Sequence, residues 1–122
     1  MAFASLLLIS DDDSLADALQ SALPRAARIE RLRSGSDVAG QMMAAPSDLV
    51  LVDDPLPDAD GLEVLRLVAR SWRDARICFV TGRHDADRER TVRQLGAFYY
   101  TSRPLELVDL SRVLTRALAA GD

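Results

Sequence analysis

Lysine is absent from this chain, and all 15 of its basic residues are arginine. We read this as a compositional bias rather than a device, but it means that any cationic partner is a guanidinium or the lone histidine, His84. A basic excess is also missing: the net charge is −4 and the arginines are scattered. A non-specific nucleic-acid grip needs a basic face that releases counterions, so direct DNA or RNA binding is not expected. The single cysteine, Cys78, cannot form an internal disulfide and has no resolving partner for redox work. It lies in an apolar run and reads as a buried core thiol. The apolar start of the chain has no basic segment before it, and Asp11, Asp12 and Asp13 follow at once. That pattern fits neither a signal peptide nor a membrane span, so a cytoplasmic protein is expected. Linkers, low-complexity tracts and internal repeats beyond the element alternation are lacking too. With 122 residues, 48% of them apolar, residues 1–122 make one domain with one core.

What is present is an alternation of two segment types. Ala4 to Ile9 is an apolar run too short for a helix, ending in Ser10-Asp11-Asp12-Asp13. Leu15, Ala18, Leu19, Ala22 and Leu23 then recur at helical spacing, closed by Pro24. Residues 27–32 alternate as a half-buried edge strand, and 36–45 read as a weak helix ended by Pro46. Leu49-Val50-Leu51-Val52 is the continuous aliphatic run of a strand covered on both faces, stopping at Asp53-Asp54. A third helix is outlined by Leu62, Leu65, Val68, Ala69 and Trp72, and a fourth strand by residues 76–80 before Thr81-Gly82. A polar helix over about 85–95, a short strand over 97–100 and a final helix from Leu107 to Leu118 complete the chain. On the fourth helix Arg88, Arg90 and Arg93 read as a solvated face.

This is a (βα) unit repeated five times with short connections. Right-handed crossovers make it an open, doubly wound parallel sheet with helices on both sides. In such sheets the functional crevice lies beyond the carboxyl ends of the strands. The residues just past those ends are Asp11 and Asp12, Asp53, Thr81 and, further on, Arg103. Carboxylates gathered in one crevice repel, so at neutral pH they share protons or recruit a cation. Oxygen-only ligands in an incomplete cage suit Mg²⁺, and a hydroxyl with a guanidinium completes a cradle for phosphoryl oxygens. Singly, each residue has a plainer role. One of the first three aspartates, most simply Asp13 or the adjacent Ser14, would cap the first helix, and Asp53-Asp54 would be solvated loop residues.

The stretch from Asp48 to Leu65, with Asp53 ending a strand, Pro57 in the loop and Asp60-Gly61 opening a helix, resembles the phosphoacceptor segment of response-regulator receiver domains. The resemblance runs through essentially the whole chain and implies a flavodoxin-like five-stranded sheet in the order 2-1-3-4-5. It further implies that Asp53 accepts a phosphoryl group, that Asp11, Asp12, Asp53 and the backbone carbonyl of Pro55 hold Mg²⁺, and that Thr81 is a switch hydroxyl. Tyr100 would be the aromatic rotamer switch and Arg103 the phosphate-sensing cation. From Thr81 it is 19 residues to Tyr100 and 22 to Arg103, as this layout requires. Implied partners are a sensor histidine kinase or phosphotransfer protein and a downstream effector, with a homodimer through the fourth helix, fifth strand and fifth helix a further possibility; the domain would signal rather than turn over substrate.

Three features depart from the family pattern. Aligning the first helix through Leu15, Ala18 and Leu19 makes the acidic pair Ser10 and Asp11, whereas a shift of one restores Asp11 and Asp12. Arg103 stands where the family has lysine, an exchange of a compact point charge for a planar fork. Asp54 replaces an aliphatic residue beside the acceptor, although strand alternation points its side chain away from Asp53. These motivate an alternative, a degenerate receiver that binds partners independently of phosphate. A small metal-dependent phosphatase would want a second acid two residues after Asp53, where Pro55 stands. Cobalamin binding would want a histidine in the loop after the third strand, and His84 follows the fourth.

Overall fold

The computed structural model describes residues 4–120. Five parallel strands pair in the order β2-β1-β3-β4-β5: β1 (Ser5–Ile9), β2 (Arg28–Leu32), β3 (Leu49–Asp54), β4 (Arg76–Thr81) and β5 (Tyr99–Ser102). Helices α1 (Asp13–Ala22), α2 (Val38–Gln41), α3 (Gly61–Ser71), α4 (Ala86–Gln94) and α5 (Leu107–Ala120) fill the connections. β3 is central and every one of its residues is buried. Its alternation splits the interior in two. Leu49 and Leu51 face a core shared with α1 and α5, whereas Val50 and Val52 face one shared with α3 and Val92 of α4. Each fully buried leucine or valine contributes roughly 1.5–3 kcal/mol of apolar burial, so these paired layers hold the sheet together.

Local chemistry sets where the helices begin and end. Asp12 caps α1, its Oδ1 accepting from the Leu15 N–H at 3.1 Å, and Leu23 turns extended ahead of Pro24. The capping aspartate is therefore Asp12, not Asp13 or Ser14; Asp13 opens the helix and pairs with Arg31 and Arg33. Asp60 caps α3 by accepting from the Leu62 N–H at 2.9 Å.

Two elements differ from expectation. Residues 36–45 form no continuous helix, but a 3₁₀ turn at Gly35–Asp37 followed by the single turn of α2. Gly35 and Gly40 are poor helix formers, and the Gly35 and Ser36 N–H groups donate to Asp58 at 2.7 and 3.0 Å, diverting the backbone into a loop. The last strand is shifted towards the carboxyl end, to Tyr99–Ser102. Gly96 turns the chain at φ 103°, and the ladder with β4 runs from Cys78↔Tyr99 to Thr81↔Ser102. Cys78 is fully buried, and burial pushes its thiol pKa well above the ordinary thiol range. No helix among the described residues is long and apolar enough to cross a membrane.

Candidate functional site: two carboxylates at the end of strand 3

The β1–β3 ladder ends with Ile9 opposite Val52, so Ser10 and Asp53 emerge together at the carboxyl edge. Ser10 donates its hydroxyl to Asp53 Oδ2 at 2.7 Å. Of the two alignments open from the sequence, this register puts Ser10, not Asp11, beside Asp53. Arg103, just past β5, closes the other side as a fork. Its Nη1 donates to Asp53 Oδ1 at 2.6 Å, and its Nη2 to Asp53 Oδ2 at 3.0 Å and to Asp12 Oδ2 at 2.9 Å. Asp53 is only 4% exposed, so this bidentate, charge-assisted pairing is what lets a carboxylate sit at the rim of the core. The hydrogen bond from Arg103 is the main cause holding the Asp12 carboxyl below its ordinary value of 3.8, and the bond to Asp53 does most to keep Arg103 protonated.

Asp11, Asp12, Asp53, Pro55, Gly82 and Arg103 line an open mouth of about 320 Å³. Its metal-capable donors are oxygens: the Asp11 and Asp53 carboxylates and the Pro55 carbonyl. A hard, partly hydrated cation such as Mg²⁺ suits that set. Both oxygens of Asp12 are engaged, one in the helix cap and one with Arg103. Among the described residues no group of three or more His, Cys, Asp or Glu side chains forms a ready metal cluster. Both Asp53 oxygens are engaged as well, by Ser10 and Arg103, so Mg²⁺ would fit this donor set by displacing the guanidinium from Asp53, with Asp11 and the Pro55 carbonyl beside it.

Asp54 points to the opposite face, as alternation requires, and is buried rather than solvated. It is held by three donors from three elements. The Gly61 N–H donates to Oδ1 at 2.9 Å, Arg88 Nη2 lies 2.8 Å from Oδ2, and the Thr81 hydroxyl lies 3.2 Å from Oδ2. Arg88 also pairs with Asp60 at 2.7 Å and sits over the Phe79 ring at 6.0 Å. The expectation that Arg88 belongs to a solvated face is therefore corrected: on α4 only Arg90 and Arg93 face outward, in local pairs with Asp87 and Glu89. Periodicity alone treats all three arginines alike; the buried Asp54 and the helix-capping Asp60 across the loop single out Arg88.

The Thr81 proton has a choice of acceptors, Asp54 Oδ2 and the Arg83 carbonyl at 3.0 Å. Tyr100 is buried, stacked on Phe79 with centroids 6.1 Å apart, and its hydroxyl shares a 3.2 Å hydrogen bond with His84 Nδ1. Thr81, Asp54, Asp60, His84 and Arg88 border a groove of about 900 Å³ that also reaches Pro55 and Gly82. The structure thus brings Asp53, Asp12 and Arg103 together, and brings Thr81 to Asp54 instead.

The response regulator receiver domain model matches residues 6–115. Among curated proteins, the transcriptional regulatory protein AfsQ1 of Streptomyces coelicolor is 34% identical over 84% of this chain and 45% of its own length. QseB of Haemophilus influenzae is 30% identical over 87% of the chain and 48% of its length. The NtrC transcriptional regulator of Proteus hauseri is 26% identical over 91% of the chain and 24% of its length. The chain thus spans between about a quarter and a half of these relatives. Among solved structures, a CheY-like receiver domain protein from Methanospirillum hungatei superposes with a TM-score of 0.86 at 21% identity, covering 98% of this chain and 97% of that one. The signal receiver domain of an HD domain-containing protein from Pseudomonas fluorescens gives 0.84 at 21%, covering 99% and 90%. These structural likenesses show the fold alone. Strand order, the buried aspartate at the end of β3 and the match over residues 6–115 agree, and the chain belongs to the response regulator receiver domains of two-component signalling.

Proposed function

We propose that the domain accepts a phosphoryl group on Asp53 within a two-component phosphorelay, the donor being a phosphohistidine of a sensor kinase or phosphotransfer protein. An Asp53 oxygen attacks phosphorus, the P–N bond breaks, and the leaving imidazole takes up a proton. The observation that carries this reading is the Arg103 fork, lying across both Asp53 oxygens at a solvent-open mouth. The same N–H groups suit the oxygens of a phosphoryl group. Mg²⁺ held by Asp53, Asp11 and the Pro55 carbonyl would neutralise the incoming phosphoryl charge. A dianion on Asp53 competes for Arg103 and Thr81, and repacking near Tyr100 alters the α4–β5–α5 surface read by an effector or a second copy of the chain. A cytoplasmic setting follows from such partners.

Incubation with Mg²⁺ and a small phosphodonor, followed by intact mass, tests it. One phosphoryl adduct is expected on the wild type and none on Asp53→Asn; an unmodified wild type, or an adduct that survives the substitution, overturns the reading.

A second reading has its own observation. Each Asp53 oxygen already accepts from internal donors, and Ser10 supplies a hydroxyl where a carboxylate would add negative charge. On that reading the guanidinium stands in for the cation, and the domain is a phosphate-independent interaction module. A Mg²⁺ titration separates the two. Millimolar binding that Asp11→Asn abolishes favours phosphotransfer, and no binding up to tens of millimolar favours the locked module.

A further inference from the structure

The Thr81 hydroxyl lies on the Asp54 side of the sheet, 3.2 Å from Asp54 Oδ2 and 3.0 Å from the Arg83 carbonyl. β3 and β4 pair with Thr81 opposite Asp54 and Val80 opposite Asp53. Alternation therefore carries Thr81 and Asp54 together towards α3 and α4, while Asp53 faces Ser10 and Arg103. The chain also leaves room for the Asp54 carboxylate: a Cβ on Gly61 would lie 2.5 Å from Asp54 Cβ and 2.6 Å from its Oδ1. Arg88 extends the arrangement. Rooted on α4, it reaches Asp54 at the end of β3 and Asp60 at the cap of α3 through one Nη2. Arg88 has little solvent to exchange these partners for, its side chain being 23% exposed.

We propose that Asp54 and Arg88 are positioning residues for Thr81 and α4. Asp54 acts as a buried acceptor that holds the Thr81 hydroxyl on the α3–α4 side, and Arg88 ties α4 to that same side chain. The placement of α4 is then governed by a contact built into the resting fold, the reach of Arg88 across to Asp54 and Asp60. This inference does not depend on Asp53 being phosphorylated, because the network shares no side chain with the Ser10–Asp53–Arg103–Asp12 cluster.

The test uses the full chain with ¹³C-methyl threonine, reading the Thr81 methyl shift and χ1 couplings by NMR alongside amide exchange over residues 86–94. Asp54→Ala is expected to move Thr81 to a different rotamer average. Arg88→Met is expected to speed α4 exchange about tenfold, and Arg88→Lys to recover part of that protection. Asp53→Asn is expected to leave both signals unchanged. An unmoved Thr81 methyl in Asp54→Ala overturns the proposal, as does an Asp53→Asn effect as large as that of Asp54→Ala. Should Asp54→Ala fail to fold, Asp54→Asn keeps the volume while removing the charge, and the same criteria apply. Uniform loss of melting temperature across these variants without site-specific change would show a merely structural role and also overturn it.

Discussion

Asp53 and Asp54 are consecutive residues of one strand, both buried and both held by an arginine, yet they belong to separate circuits. Asp53 faces the α1–α5 side, meets Ser10 and Arg103, and lies at an open mouth. Asp54 faces the α3–α4 side, meets Gly61, Thr81 and Arg88, and packs against the start of α3. The difference is one of partners: both are nearly equally buried, and each borders its own opening. Asp53 takes its guanidinium from the loop just past β5, whereas Asp54 is packed against the Gly61 backbone and takes its guanidinium from a helix, which makes it a strut between elements. Adjacent acids of the same strand thus acquire unlike chemistry because the pleat sends them to opposite faces.

The largest effect should come from stripping Asp53 of its fork. Arg103→Met leaves a buried carboxylate with Ser10 alone and should cost roughly 2–3 kcal/mol in urea unfolding at pH 7, tempered by the partial solvation of Arg103. Pairing it with Asp53→Asn should recover most of that loss, and a double variant no more stable than Arg103→Met would break the assignment. On the other side, Gly61→Ala forces a methyl into the Asp54 carboxylate and should destabilise by roughly 2 kcal/mol. A neutral result in thermal melts would mean that Asp54 is freer than its neighbours imply.

Next comes Asp12→Ala, which removes the α1 cap and should cost about 1 kcal/mol, measured by denaturant midpoint. Titration then sharpens the contrast. Arg103 holds Asp12, and Arg88 holds Asp60, below the ordinary carboxyl value of 3.8. A lowered folded pKa stabilises the fold above that ordinary value, and the contribution fades as pH falls through the folded pKa. By carboxyl ¹³C NMR, Arg103→Met should raise the Asp12 pKa and leave Asp60 alone, with Arg88→Met doing the reverse. Cross-talk between the two pairs would merge the circuits. The smallest effect is expected from Arg93→Ala, which breaks an exposed i, i+4 pair with Glu89 worth about 0.3 kcal/mol by melting temperature.

Much of this molecule was legible in one dimension. Aliphatic runs and helical spacing report how each segment buries its side chains, so five strands and four of the five helices could be placed. The stretch from Asp48 to Leu65 pointed to Asp53 because strand, loop and helix start have fixed offsets there. The weak segment over 36–45 misled because its methionines and alanines favour a helix while Gly35, Gly40 and the distant Asp58 decide its backbone. Asp12 as the cap was likewise hidden among three aspartates that differ only in where β1 ends.

The sequence by itself determined the alternation of elements, the parallel sheet, the carboxylate at its edge and the arginine-only supply of cations, since these follow from local pattern and composition. Tertiary structure decided the partnerships: Ser10 beside Asp53, Arg103 shared between Asp53 and Asp12, and Thr81 and Arg88 given to Asp54. Those pairings depend on strand register and on which face each side chain leaves, and they join residues up to 91 positions apart. No local spacing encodes such contacts; only the stacking of the folded sheet and helices brings the charges close enough to choose one another.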